Sequence, residues 1–272
     1  MSFTAHPSLI CPIDELPLLL ENGTLSCSSG HQYDIGKPGY ANLLSVQHKR
    51  SKAPGDSKEM VNARTAFLNK GFYKPIACHL ADIISAQERD NLTLIDAGCG
   101  EGYYLETINS LVEKKLHLVG FDISKWAIQR ATRRCQATWF VASNKHIPLA
   151  DNSADLLLDM FGFPDFDSFA RILKPNGKLL CVSPGENHLL ELRKIIYPEV
   201  RRSRIRQYPS SFMQSVRKSI TYQVALDKEA LGNLLAMTPH LYRAPKDGLA
   251  KLAEVEKLDI TVDVSVDVLD RV

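Results

Sequence analysis

The sequence predicts an α/β protein: a doubly wound, mixed sheet with a small separate lobe at its front. Three observations predict it. From residue 92 onward short apolar strands alternate with helical patterns of roughly 10–15 residues, as in a parallel sheet wound on both faces. Two segments near the C-terminus, 216–226 and 256–269, alternate apolar and polar residues and read as an antiparallel pair on the sheet edge. Ahead of all this stands a polar, turn-rich segment, "CPIDELPLLLENGTLSCSSGHQYD" (11–34), with cysteine and histidine at its two ends.

The elements follow in chain order. Within 9–34, "ENGT" at 21–24 reads as a hairpin turn between two short strands. Residues 36–58 carry glycines, prolines and a basic run, and read as a surface linker. Helical patterns at about 57–70 and 75–88 come next. "LTLIDAG" and "LHLVGFD" are buried strands, each followed by a helix, "YYLETINSLVEK" and "SKWAIQRATRRC". "ATWFVA", "ADLLLDMF" and "KLLCVSP" supply three more strands, with "DFDSFARIL" as a helix before the last. A long helix is expected over 188–204. The chain divides on this reading into a lobe (1–36), a linker with N-terminal helices (37–90) and a core (91–272).

The bulk numbers are those of an ordinary globular protein, 44% hydrophobic and 24% charged over 272 residues. No apolar run approaches the roughly 20 residues that span a bilayer, so no membrane partner is expected. The N-terminus does not read as a signal peptide. Scattered cysteines in apolar or glycine-rich settings point to a reducing cytoplasm. A net charge of +2 announces no nucleic-acid partner by itself, so any such partner must be read from local patches.

The most informative motif is Asp96-Ala97-Gly98-Cys99-Gly100-Glu101-Gly102, where the first core strand turns into its helix. That is the crevice in which doubly wound sheets bind ligands. A dinucleotide fingerprint would require glycine at 103, and that position is Tyr103. An acidic residue before G-x-G-x-G instead resembles the S-adenosylmethionine-dependent methyltransferases of the Rossmann-like class. In that family the loop cradles the methionine part, which implies roles for Asp96, Gly98, Gly100, Glu101 and Gly102. Asp122, ending the second strand, would accept hydrogen bonds from the ribose hydroxyls. Ala142 and Ser143 would lie near the adenine. The fourth strand ends in "DMFGFPDF", not in the Asn/Asp-Pro-Pro-Tyr signature of exocyclic amine methyltransferases, which argues against that substrate class.

The front lobe narrows the resemblance. A Cys/His lobe, then Tyr33-Asp34-Ile35-Gly36-Lys37-Pro38-Gly39-Tyr40-Ala41-Asn42-Leu43-Leu44, then the glycine-loop core, is similar to the bacterial 23S ribosomal RNA (guanine-N1)-methyltransferases. The likeness continues through "QHKRSKAPGDSKEM", "FLNKGFYKPI", "SPGENHL" and "LLAMTP", so it covers nearly the whole chain in order. It implies a class I methyltransferase fold with a zinc-ribbon-like lobe. It also implies S-adenosylmethionine as cofactor and methylation of a guanine N1 in a hairpin loop of 23S ribosomal RNA, a site bearing on macrolide-type antibiotics. It leaves room for a homodimer. Tyr73, Gly100, Glu101 and His188 would contact the cofactor. Each has a plainer reading beside it: Tyr73 as packing between two helices, and His188 as the start of a helix that Asn187 caps. A methyltransferase for a small molecule or carboxylate, with the lobe as a lid, is the alternative.

The family's metal site has three thiolates and an imidazole, and here Asp14 stands where one cysteine belongs. Carboxylate oxygen also binds zinc, so Cys11, Asp14, Cys27 and His31 could close a tetrahedron with weakened affinity. The competing reading is a metal-free lobe held by its own hairpin and by the core behind it. Either way the lobe is expected to stand outside the sheet as an RNA-docking element. Two basic runs, His48-Lys49-Arg50 with Lys52, and Arg201, Arg202, Arg204 and Arg206, are candidates for phosphate contact. The base that takes the guanine proton is not identified. Asp159 and Asp165 flank the fourth-strand loop, yet each is also explained as a strand-end or helix-cap carboxylate.

Overall fold

The computed structural model describes residues 3–45, 47, 54–200 and 206–272. Among them the strands join into a sheet of order β1-β2-β3-β4-β7-β6-β5-β8-β9-β11-β10. Its centre is β5 (Asn91–Ala97), flanked by parallel β6 (Lys115–Asp122) and β8 (Ala154–Met160), with β7 (Thr138–Val141) and β9 (Leu173–Pro184) outside them. The strand order reverses between β6 and β8, so the carboxyl end of β5 opens onto a topological switch point. β10 (Phe212–Asp227) and β11 (Lys257–Arg271) form the expected antiparallel pair, and β11 also runs antiparallel to β9.

The strands are apolar on both faces because both faces are covered. Leu94, Leu118, Leu156, Leu158, Leu180 and Val264 share one buried cluster with residues of α1 (Lys58–Asn69), α2 (Lys74–Ser85) and α3 (Tyr103–Leu111). α1 begins where Ser57 accepts a hydrogen bond from the Met60 amide, and Pro75 opens α2. Ile95, Phe121, Phe140 and Leu157, displaced by one residue and so facing the other way, share a second cluster. Phe169 and Ile172 of α5 (Phe166–Ile172) belong to it, and so do Leu9, Leu18, Leu25 and Leu43. The lobe is therefore a packing layer on the sheet rather than a body standing outside it.

Its own strands are β1 (Leu19–Glu21), β2 (Thr24–Ser26) and β3 (Gln32–Gly36). Asn22 and Gly23, with φ of 50° and 80°, make the tight turn of the first hairpin. The stretch expected to be a surface linker contains β4 (Tyr40–Asn42), antiparallel to β3 and parallel to β7, which stitches the lobe to the sheet. The helix expected over 188–204 is α6 (Leu190–Ile196) among the described residues, and it stops before Pro198. Three further helices fill 228–253: α7 (Lys228–Ala236), α8 (His240–Arg243) and α9 (Lys246–Ala253). α4 (Lys125–Ala131) follows β6, capped by Ser124. Among the described residues no helix is long and apolar enough to cross a membrane, and the six cysteines are free thiols.

Candidate active site and metal centre

The glycine loop leaves β5 along a path that only glycine takes without strain. Gly98 and Gly100 have φ of 76° and 55°, and a Cβ on either would point into open space, apart from the Arg64 side chain near Gly100. Gly102 opens α3 for a different reason: a Cβ there would lie 3.0 Å from the Trp139 ring and 3.1 Å from Ala131. The backbone is thus bare toward the crevice and tight toward the core.

Three carboxylates converge at this end of the sheet. Asp96 is wholly buried, and neither of its oxygens has a partner. Burial, with the negative charges of Asp122 and Asp159, pushes its pKa up to about 8. Asp122 accepts the Gly100 amide on Oδ2 (3.0 Å) and the Ser124 amide on Oδ1 (2.7 Å). Burial raises its pKa, against the pull of those two amides. The Ala142 amide donates to the Asp122 carbonyl (3.1 Å), so β6, β7 and the following Ala142–Ser143 stretch meet here. Ser143 Oγ accepts the Lys145 amide (3.3 Å). Uncompensated buried carboxylates lower their energy by holding a cation, and the sulfonium and ammonium of S-adenosylmethionine are cations. The site fits that cofactor.

Glu101 is also buried, but Arg134 donates to its Oε2 at 2.6 Å, leaving Oε1 without a partner. Tyr73 and His188, 115 residues apart in sequence, meet at 3.5 Å between Oη and Nε2. The His188 ring stacks on Phe161, with centroids 5.7 Å apart, and Tyr73 packs on the same ring at 6.1 Å. His188 Nδ1 accepts the Asp263 amide (3.3 Å), which puts the proton of the neutral ring on Nε2. Burial brings its pKa down to about 4. Phe161 and Leu189, at φ of 57° and 55°, hold left-handed backbone on either side of this contact, strain of the kind that collects at functional sites.

Asp165 accepts the Ser168 amide as the cap of α5 (3.1 Å), so the capping reading describes it. Asp159 is buried and accepts from Arg206 (2.8 Å), with Oδ1 unpartnered. A Cβ on Gly162 would lie 2.1 Å from that oxygen, so the turn after β8 closes tightly over it. Arg206 also donates to the Gly162 carbonyl (3.2 Å), which commits it to the core rather than to a free basic face. Positions 48–50, 52, 201, 202 and 204 of the basic runs lie outside the described residues. Next in the turn, Phe163 is 82% exposed, its carbonyl accepting from Asn144 (2.9 Å). Sequence reasoning missed Phe161, Phe163 and Arg64, which carry no motif.

In the lobe, the ligating atoms of Cys11, Asp14, Cys27 and His31 all lie within 4.8 Å of one another. His31 Nδ1 is 3.0 Å from Asp14 Oδ2, 3.4 Å from Cys27 Sγ and 3.5 Å from Cys11 Sγ, and Cys27 Sγ is 3.3 Å from Asp14 Oδ2. Ligand bonds of roughly 2.0–2.3 Å imply tetrahedral edges of about 3.3–3.8 Å; three of these four distances fall in that range, and the His31–Asp14 distance is shorter. Tyr33 Oη lies 3.1 Å from Cys11 Sγ.

Fold and crevice together define an S-adenosylmethionine-dependent methyltransferase of the class I type. Residues 88–236 match the family described as a methyltransferase domain, and residues 9–52 match the zinc ribbon described as RlmA, N-terminal. The fold is also that of an Anaeromyxobacter dehalogenans protein provisionally described as a type II methyltransferase (TM-score 0.50, 20% identity, 70% of this chain and 94% of that one). The chain is 31% identical over 268 residues, 94% of each chain, to the 23S rRNA (guanine(748)-N(1))-methyltransferase of Streptomyces fradiae. It is 30% identical over 270 residues, again 94% of each, to Bacillus subtilis YxjB, provisionally named a 23S rRNA (guanine-N(1)-)-methyltransferase. The chain belongs to the 23S rRNA (guanine-N1)-methyltransferase family.

Proposed function

We propose that this protein transfers a methyl group from S-adenosylmethionine to N1 of one guanine in a hairpin loop of 23S ribosomal RNA. The observation that carries the reading is the end-to-end match, lobe and core together, to a relative named for that reaction. When bound, S-adenosylmethionine would supply an electrophilic methyl group, its sulfonium leaving as a neutral thioether and the guanine N1 proton passing to a base or to water. The residues that hold it on this reading are Asp96 and the Gly98–Gly102 loop at the methionine end, Asp122 at the ribose, and Ala142 and Ser143 at the adenine. Tyr73 and His188 line the neighbouring wall. His188, neutral at physiological pH, serves as a hydrogen-bond donor there rather than as a base.

Residues 91–272 form the catalytic core, 37–90 the connecting segment and 1–36 the RNA-docking lobe. Cys11, Asp14, Cys27 and His31 hold one zinc ion in a closed, structural site that ties the lobe's two turns together. Phe163, exposed on the turn after β8, offers an aromatic face to an unstacked loop base, the usual way single-stranded RNA is gripped.

The test is methyl transfer by the purified chain from labelled S-adenosylmethionine to transcripts of 23S hairpins, with nucleoside mass analysis. Label on guanine N1 of one hairpin is expected. Unlabelled RNA, with label instead in a small-molecule or carboxylate acceptor, would overturn the reading.

A further inference from the structure

Arg64 projects from α1 to the glycine loop, with about a quarter (28%) of its side chain exposed. Its Nη2 donates to Asp56 Oδ2 at 2.6 Å and to the Met237 carbonyl at 3.2 Å, so the guanidinium is held from two sides. Its Nε is buried and has no acceptor. A Cβ on Gly100 would lie 3.5 Å from Arg64 Cδ and 3.8 Å from Nε, so the side chain lies along the open side of the loop. Its charge favours the ionised forms of Asp122 and Glu101.

A segment of chain fixes Arg64 in this place. Ser124, which caps α4 beside Asp122, donates to the Asp56 carbonyl at 2.6 Å. Gly55 packs against Ile123 and Ser124, where a Cβ would lie 2.8–2.9 Å from their atoms. Asp56 thus bridges the loop after β6 to the guanidinium, and Arg64 reaches the crevice already oriented.

Two unmet polar groups now flank one loop: the buried carboxyl of Asp96, without any donor, and Arg64, paired with Asp56 through Nη2 but with a buried Nε–H lacking an acceptor. Leaving either unpaired is costly. A ligand that relieves both carries an ammonium and a carboxylate close together, as an α-amino acid does. We infer that Arg64 binds the α-carboxylate of S-adenosylmethionine through Nε, opposite Asp96 at the ammonium. This rests on the cofactor reading of the crevice. It gives Asp56 the role of a positioning residue, which holds Nη2 and leaves Nε to the ligand.

The experiment compares two ligands that differ only in that carboxylate, S-adenosylmethionine and decarboxylated S-adenosylmethionine, by calorimetry on the full chain. A charge-assisted hydrogen bond predicts that the wild type prefers the carboxylate form by about 10- to 100-fold. Arg64→Met should bind both ligands alike, at roughly the wild-type affinity for the decarboxylated form. Arg64→Lys, which keeps charge and bulk, should fall between and serves should Arg64→Met not fold. An unchanged preference in both variants would overturn the assignment, as would equal losses for the two ligands. A wild type that binds neither ligand would overturn the cofactor reading itself, a result distinct from these.

Discussion

Asp96 is where the electrostatics of the crevice make the sharpest demand. Its carboxyl is fully buried, has no hydrogen-bond partner and has a pKa of about 8, whereas an unfolded chain returns it to the ordinary carboxylate range. The folded pKa is raised, so the folded protein binds the extra proton between roughly pH 4 and 8, and stability falls as pH rises through that window. One unit of pH is worth about 1.4 kcal/mol per proton, so from about pH 5 to about pH 7 this group costs about 3 kcal/mol. Asp96→Asn removes the titration and nearly preserves the shape. In urea unfolding of the ligand-free protein, the stability of Asp96→Asn relative to wild type should therefore rise by about 3 kcal/mol over that interval. The other carboxylates titrate in both proteins and cancel. Cofactor binding should have the converse effect. A cation beside Asp96 favours its charged form, so the wild type should release close to one proton on binding S-adenosylhomocysteine near pH 7, and Asp96→Asn none. Binding heats in two buffers of different ionisation enthalpy measure that release. A stability difference that does not move with pH would mean that Asp96 carries no raised pKa in the folded protein.

Three other expectations follow from the same geometry. Asp122→Ala removes the acceptor for two backbone amides and, on the proposed reading, for the ribose hydroxyls, and should weaken S-adenosylhomocysteine binding by about 100-fold, read by calorimetry; wild-type affinity would remove Asp122 from the site. Purified protein should carry about one zinc per chain, with Asp14→Cys retaining it about tenfold more tightly against a chelator and Asp14→Ala losing it. Because Leu9, Leu18 and Leu25 share a core with Phe121 and Phe140, loss of the ion should lower the melting temperature of the whole chain, not of the lobe alone. Phe163→Ala should raise KM for RNA about tenfold while leaving cofactor affinity untouched, with Phe163→Trp restoring it, since stacking is worth about 1–3 kcal/mol per base.

The parts of this molecule legible in its sequence are those whose cause is local. The glycine spacing, the acid ending the second strand and the alternation of the last two strands each follow from a few consecutive residues, and each stands where it was expected. What escaped depends on distant partners. β4 is three residues between Gly39 and Leu43, too short to show a period, and becomes a strand only because β7 lies beside it. α7 to α9 are brief and punctuated by Pro239 and Pro245, so no long amphipathic period announces them. The lobe is expected outside the sheet, yet its Leu9, Leu18 and Leu25 cover a sheet face together with Phe121 and Phe140. Arg206 belongs by sequence to a run of cations, but Asp159, 47 residues earlier, accepts its hydrogen bond. The pairing of Tyr73 with His188 and the place of Arg64 over Gly100 likewise belong to the fold alone.

Methylation of one 23S guanine by this protein is read straight from mass mapping of 23S ribosomal RNA from a strain lacking this gene, beside the parent and the strain with the gene restored. One N1-methylguanine, in a hairpin loop, should disappear on deletion and return on complementation. An Asp122→Ala copy should fail to restore it. Identical N1-methylguanine in all of these strains would contradict the proposed function.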